Sequence, residues 1–192
     1  MLLWVISLVA AAIVLYVIIV FNRLVRTRQM ANEAWSGIDV QLKRRSELVP
    51  NLVETVKGYA GHERSVLDEV TRLRGAARAL PENDIASRAQ AEGALSLALG
   101  KLVALAENYP DLKASANFLD LQQQLSQLET ELQMARRYYN GAVRNQNVLA
   151  QSFPSNLIAG LFGFGQRQYF EVSDAADRDV PQVKLQPTPP AR

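Results

Sequence analysis

The stretch FLDLQQQLSQLETELQMARRYYNGAVRNQNVLAQSF, residues 118–153, decides the fold. Phe118, Leu121, Leu125, Leu128, Leu132, Ala135, Tyr139, Ala142, Gln146, Leu149 and Phe153 follow one another in alternating steps of three and four. A strand needs steps of two, so this spacing predicts a helix with one apolar seam, roughly 54 Å long at the usual rise. Gln122, Gln124, Gln127, Glu129, Glu131, Arg136, Arg137 and Arg144 lie off the seam and form polar flanks. A helix with one apolar seam needs a partner of similar length, which the rest of the chain must supply. Tyr139 is on the seam and reads as core, whereas Tyr138 reads as the edge of the interface. Gln146 is either a buried amide that specifies register or a solvated side chain near a helix end.

Working outward, the front of the chain is uncharged from Leu2 to Phe21 and rich in Leu, Val, Ile and Ala. Its length, about 30 Å as a helix, matches the hydrocarbon thickness of a bilayer, and Trp4 is placed for an interface. A cleaved signal peptide needs a basic start and a small-residue site followed by a mature domain. Met1-Leu2-Leu3 is not basic, and Ala10–Ala12 run on into more apolar residues, so the span reads as an uncleaved anchor. Arg23, Arg26 and Arg28 come directly after it, which predicts an external N-terminus and a cytoplasmic C-terminal side of the inner membrane.

From the anchor the chain runs without a helix breaker as far as Pro50, which is either a kink or a new helix start. Lys43, Arg44 and Arg45 read as a solvated face. Leu52, Val53, Val56, Tyr59, Val66, Leu67, Val70 and Leu73 continue an amphipathic stripe, weakened at Gly58 and Gly61, as far as Ala79. Pro81–Asp84 predicts a loop and cap, Ile85–Glu107 a third helix, and Tyr109-Pro110-Asp111 a break with Asp111 as cap. The fourth helix is expected from about Leu112 through the seam to Pro154. Counting one rising run from Asn22 to Ala79, about 87 Å, and a return from Ile85 to Phe153, under about 100 Å, brings Phe153 back to the membrane exit. The apolar segment Phe153–Phe164 then either folds onto the bundle as a lid or dips into lipid. The expected organisation is an anchor at 1–22, a helical domain at 23–170 and a disordered Pro-rich tail at 171–192.

The residues argue against a reaction. The formal charge of +2 is too balanced for nucleic acid, and the chain has no cysteine for a thiolate site or nucleophile. His62 is the single histidine; Val66 stands where a zinc-protease motif needs its second ligand, and one histidine cannot build a di-metal bundle or serve a G-x-S-x-G serine that is absent. Gly163-Phe164-Gly165 lacks both the third glycine and the preceding strand of a dinucleotide fingerprint. Asp39 and Glu54 read as ion-pairing residues on helix faces. No catalytic, cofactor-binding or metal residue is assigned, and none is expected.

The runs AWSGIDVQLKRRSELVPNLVETVKGYAGHE (34–63), ENYPDLKA (107–114), ARRYYN (135–140) and FPSNLIAGLFGF (153–164) resemble the LemA family of bacterial membrane proteins. The resemblance covers residues 21–170. It implies one N-terminal membrane helix carrying a cytoplasmic antiparallel helical domain, and no catalytic residues. Some members take part in forming magnetosome membranes, which implies membrane organisation as one role. Where relatives commonly show a second Tyr-Asn pair, this chain has Gln146-Asn147.

The expectation is therefore an all-α protein: a single transmembrane helix, Leu2–Phe21 in the lipid bilayer, followed by an antiparallel long-helix bundle or hairpin. Its expected role is a non-enzymatic scaffold or adaptor whose helix faces meet protein partners or copies of itself. The alternative is a membrane-shaping protein that acts on lipid directly.

Overall fold

A computed structural model describes residues 1–60 and 63–171. His62 and the tail beyond Glu171 lie outside the described residues. The described residues fold into six helices: α1 (Leu2–Tyr59), α2 (Arg64–Ala79), α3 (Ile85–Ala106), α4 (Pro110–Lys113), α5 (Ala116–Gln151) and α6 (Ser155–Leu161). No strand occurs among the described residues.

The partner that the α5 seam requires is α1. Val20, Leu24, Ala31, Ala34, Ile38, Leu42, Arg45, Val49, Leu52 and Val56 are its buried row, spaced mainly by threes, fours and sevens like the seam opposite. The α1–α5 pair is the most extensive helix contact in the molecule. Asn117 bonds Thr55 at 3.1 Å at the far end, and Arg45 meets Glu129 midway, so the two helices run antiparallel. Over its 36 residues, about 54 Å, α5 descends from the level of Thr55 to that of Val20.

Pro50 is inside α1, which continues through it. A proline there leaves the carbonyl four residues earlier without its helical donor. That carbonyl belongs to Ser46, and Arg74 Nε of α2 donates into it at 2.6 Å. Burial of Val49, Leu52 and Val53 on both sides of the proline ties both halves of the helix to the core.

The expected single rise to Ala79 is corrected: α1 ends at Tyr59 and α2 runs back along it, Arg74 reaching Ser46. Gly58 lowers helix propensity at that end, and the reversal lets Leu67 and Val70 bury against Val53 and Val56. Asp84 caps α3 by accepting from the Ser87 N–H at 3.1 Å, and α3 then rises packed on α2, in the same direction as α1 and tied to it by side chains. The distal half is thus an up-down-up-down four-helix bundle. The expected unbroken helix from Leu112 is also corrected, since Ser115 is extended and separates α4 from α5. Tyr109, extended before Pro110, is the residue at the N-cap of α4, while Asp111 lies in the first turn. At the other end α5 stops at Gln151, so Phe153 leaves the seam and is 80% exposed.

Candidate functional site

Three arrangements stand out, and the first is charged and buried. Arg45 falls on the α1 seam between Leu42 and Val49, and only 1% of it is exposed. The solvated reading of Lys43–Arg45 holds for Lys43 and Arg44 but fails for Arg45. Its guanidinium donates to Glu92 Oε2 and Glu129 Oε1, both at 2.5 Å, to Ser96 Oγ at 2.7 Å and to the Glu92 carbonyl at 2.8 Å. Arg136 stands close by, and burial pulls its guanidinium pKa below the ordinary value, with the Arg45 charge adding to the effect and Glu129 and Glu92 opposing it. Two cations and two carboxylates balance, and hydrogen bonds saturate most of the Arg45 fork. The sequence signal was the position itself: steps of three and four place residue 45 on the row of Leu42, Val49 and Leu52.

Beside this network lies a cavity of about 410 Å³ between α1, α2 and α3, lined by Asp39, Lys43, Ser46, Arg74, Arg78, Arg88 and Glu92 among others. Two of its arginines are engaged: Arg88 meets Asp39 at 2.8 Å, and Arg74 donates to the Ser46 carbonyl. Among the described residues no three His, Asp or Glu side chains converge as metal ligands.

The second arrangement is an extended strap, residues 165–171, laid along the α1–α5 pair. Asn147 donates to the Arg167 carbonyl at 3.0 Å and accepts from its N–H at 2.9 Å. Asn140 does the same with Phe170, at 3.2 and 2.9 Å. Seven helical residues and three extended ones both span about 10 Å, so two asparagines two turns apart fit this strap like a ladder. Tyr139 donates its hydroxyl to the Gln168 carbonyl at 2.9 Å, and burial pushes its pKa up. Phe170 closes the cluster against Trp35, centroids 5.7 Å apart, with Arg136 over its ring. Gln146 is buried, which resolves its two readings, although its side-chain oxygen accepts no bond from the protein. Tyr139 is core as expected, and Tyr138 is exposed.

The third arrangement is at the end of the apolar start of α1. Ile158, Ala159 and Phe164 bury against Val20 and Leu24, with Val17, Phe21 and Val25 alongside. Gly163 has φ +70°, and the Phe164 N–H donates to the Ala159 carbonyl at 2.9 Å, a glycine-terminated helix end that turns Phe164 back onto α1. Phe21 meets Phe162 and Phe164 edge-on at 4.9 and 5.7 Å. The lid reading therefore holds for Ile158, Ala159 and Phe164, while Phe153, Leu157, Leu161 and Phe162 remain exposed. α1 itself is long and apolar enough at its start to cross a membrane.

One face of α5 has no helix or strap against it. Met134, Tyr138 and Val148 lie within a narrow arc of the helix and all are exposed.

The chain is similar in sequence to several known proteins. The magnetosome proteins MamQ 1 and MamQ 2 of Paramagnetospirillum magneticum are each 24% identical over 186 residues, which cover 83% of this chain and 68% of theirs. Protein LemA of Metamycoplasma hominis is 26% identical over 164 residues, 85% of this chain and 74% of its own. Neither name denotes an enzyme, and together with the apolar start of α1 they make this a membrane-associated helical protein. The profile of the LemA family matches residues 34–185, from the middle of α1 past the strap, and the chain belongs to the LemA family.

Proposed function

We propose that this protein is a membrane-anchored, non-catalytic scaffold that recruits protein partners, its own copies among them, through helix faces. The observation that carries this reading is the uncovered α5 face of Met134, Tyr138 and Val148, held at a set distance from the span by the α1–α5 pair. Exposed aromatic and Met side chains on a rigid helix are what partner helices bury. Arg23, Arg26 and Arg28 support a cytoplasmic bundle with the N-terminus outside. A photocrosslinking residue at Tyr138 should trap a defined product in intact cells, and one at buried Leu132 should not. Equal yields at both positions would sink the scaffold reading, and alkaline phosphatase activity from a fusion after Arg192 would sink the orientation.

A second reading, membrane organisation by direct action on lipid, is favoured by the exposed apolar side of α6 and by the magnetosome proteins among the relatives. Deformation of liposomes by the pure protein alone would select it.

A further inference from the structure

We infer that α6 is a second lipid contact, a foot that seats Phe153, Leu157, Leu161 and Phe162 in the interfacial zone of the leaflet facing the bundle. The inference does not depend on whether the bundle acts as a scaffold.

A helix packed on one side against a protein in water keeps its other side polar. Here Ile158 and Ala159 pack on α1, yet the opposite side presents Leu157 and Leu161, the latter 79% exposed. Large apolar side chains thus lie on both sides, with Asn156 the polar residue of the exposed one, which suits a helix lying between protein and the lipid interface.

Depth provides an independent observation. α6 touches α1 at Val17, Val20, Phe21 and Leu24, the last turns of the apolar span and the first turn beyond it. Its exposed side chains are therefore level with the end of the hydrocarbon-spanning segment. The chain is also free of charge from Asn145 to Gln166, the only such stretch of that length outside the anchor. Charge resumes on α1 and on the strap at one level. On α1 the first charges are Arg23, Arg26 and Arg28. On the strap Arg167 donates to the Arg28 carbonyl at 3.5 Å and to Asn32 Oδ1 at 2.6 Å. Arg28 also lies over the Phe164 ring at 5.8 Å. An uncharged layer thus ends in an arginine collar, the order in which a membrane offers acyl chain and then phosphate. Lipid is the occupant because this apolar surface is continuous with α1's own lipid-facing surface, joined through the Phe21–Phe162 contact. A second contact of this kind also restrains the tilt of α1, which a single span leaves free.

The chain has no cysteine, so Leu161→Cys and Leu157→Cys each give one labelling site, with Leu119→Cys at the distal end as control. All three positions are exposed, so labelling does not open the core. Full-length protein carrying an environment-sensitive dye is reconstituted into vesicles of phosphatidylcholine and phosphatidylglycerol that contain headgroup-linked quenchers. At 161 and 157 the emission should be blue-shifted and quenched several-fold more than at 119. Emission at 161 and 157 as water-like and unquenched as at 119 would overturn the foot. So would a blue-shifted dye that the lipid quenchers do not reach, since that result assigns the surface to a second copy or another protein.

Discussion

Around Arg45 the molecule is four helices thick, and around Tyr139 it is two helices and a strap, with only the first turns of α3, at Ile85 and Ala89, reaching that level. The two regions share one pair of helices but close their cores by different means. In the distal region α2 and α3 supply apolar side chains, and an arginine is neutralised where the helices meet. In the proximal region α3 contributes only Ile85 and Ala89, and a short extended segment covers the rest of the seam through asparagine amides paired to its backbone. A strap buries less apolar surface than a helix, but its bonds fix position closely. The distal region should therefore fail globally when one charge is removed, and the proximal region should loosen locally.

The sharpest way to break this contrast is Arg45→Ala. It strands Glu92 in the core and should cost about 3–5 kcal/mol. The measurement is thermal unfolding of the full chain by circular dichroism. Glu129 is one-third exposed, so solvent screens its share, and Glu129→Gln should cost well under half as much. A loss for Arg45→Ala no larger than for Glu129→Gln would show that the charge is not buried in solution.

Arg74→Ala should come next, at about 1–3 kcal/mol, because it leaves the Ser46 carbonyl without a donor. In a Pro50→Ala background the restored N–H takes that carbonyl, and the same change should cost clearly less. Equal costs in both backgrounds would separate Arg74 from the proline.

In the proximal region Asn147→Ala should cost about 1–2 kcal/mol. Its mark is faster hydrogen exchange at the N–H groups of residues 167–170 with little change in the global midpoint. A cooperative loss of the whole fold would erase the distinction between the two regions. Gly163→Ala should cost about 1–2 kcal/mol through its left-handed φ of +70°, with increased exposure of Phe164 as the readout.

The smallest effect is Tyr139→Phe, about 1 kcal/mol at neutral pH for the lost bond to Gln168. Its pH dependence has a definite sign. Burial raises the folded-state pKa, so the stability contribution is complete below the ordinary tyrosine range near about 10 and is lost as pH rises through the raised value. The Phe variant should lack that part of the alkaline loss.

Local pattern determined much of this protein. Steps of three and four placed the α5 helix and its buried face, and an uncharged run of bilayer length marked the start of α1 as long and apolar enough to cross a membrane, because periodicity and span length depend only on the chain itself. Asp84 and Pro110 marked their boundaries for the same reason. Tertiary structure decided the rest. Whether Pro50 broke α1 depended on Arg74, a residue of another helix, reaching the orphaned carbonyl. Whether Arg45 was solvated depended on Glu92 and Glu129 arriving from α3 and α5. The length estimate returned Phe153 to the level where the apolar start of α1 ends, but by a route the chain does not take, since α2 reverses and α5 alone makes the descent. For Phe153–Phe164 the sequence offered lid or lipid, and the fold divided the residues: the Gly163 turn brings Phe164 onto α1, while Leu157 and Leu161 face away from the protein. A linear pattern specifies which side chains share a face, but what covers that face depends on residues far along the chain.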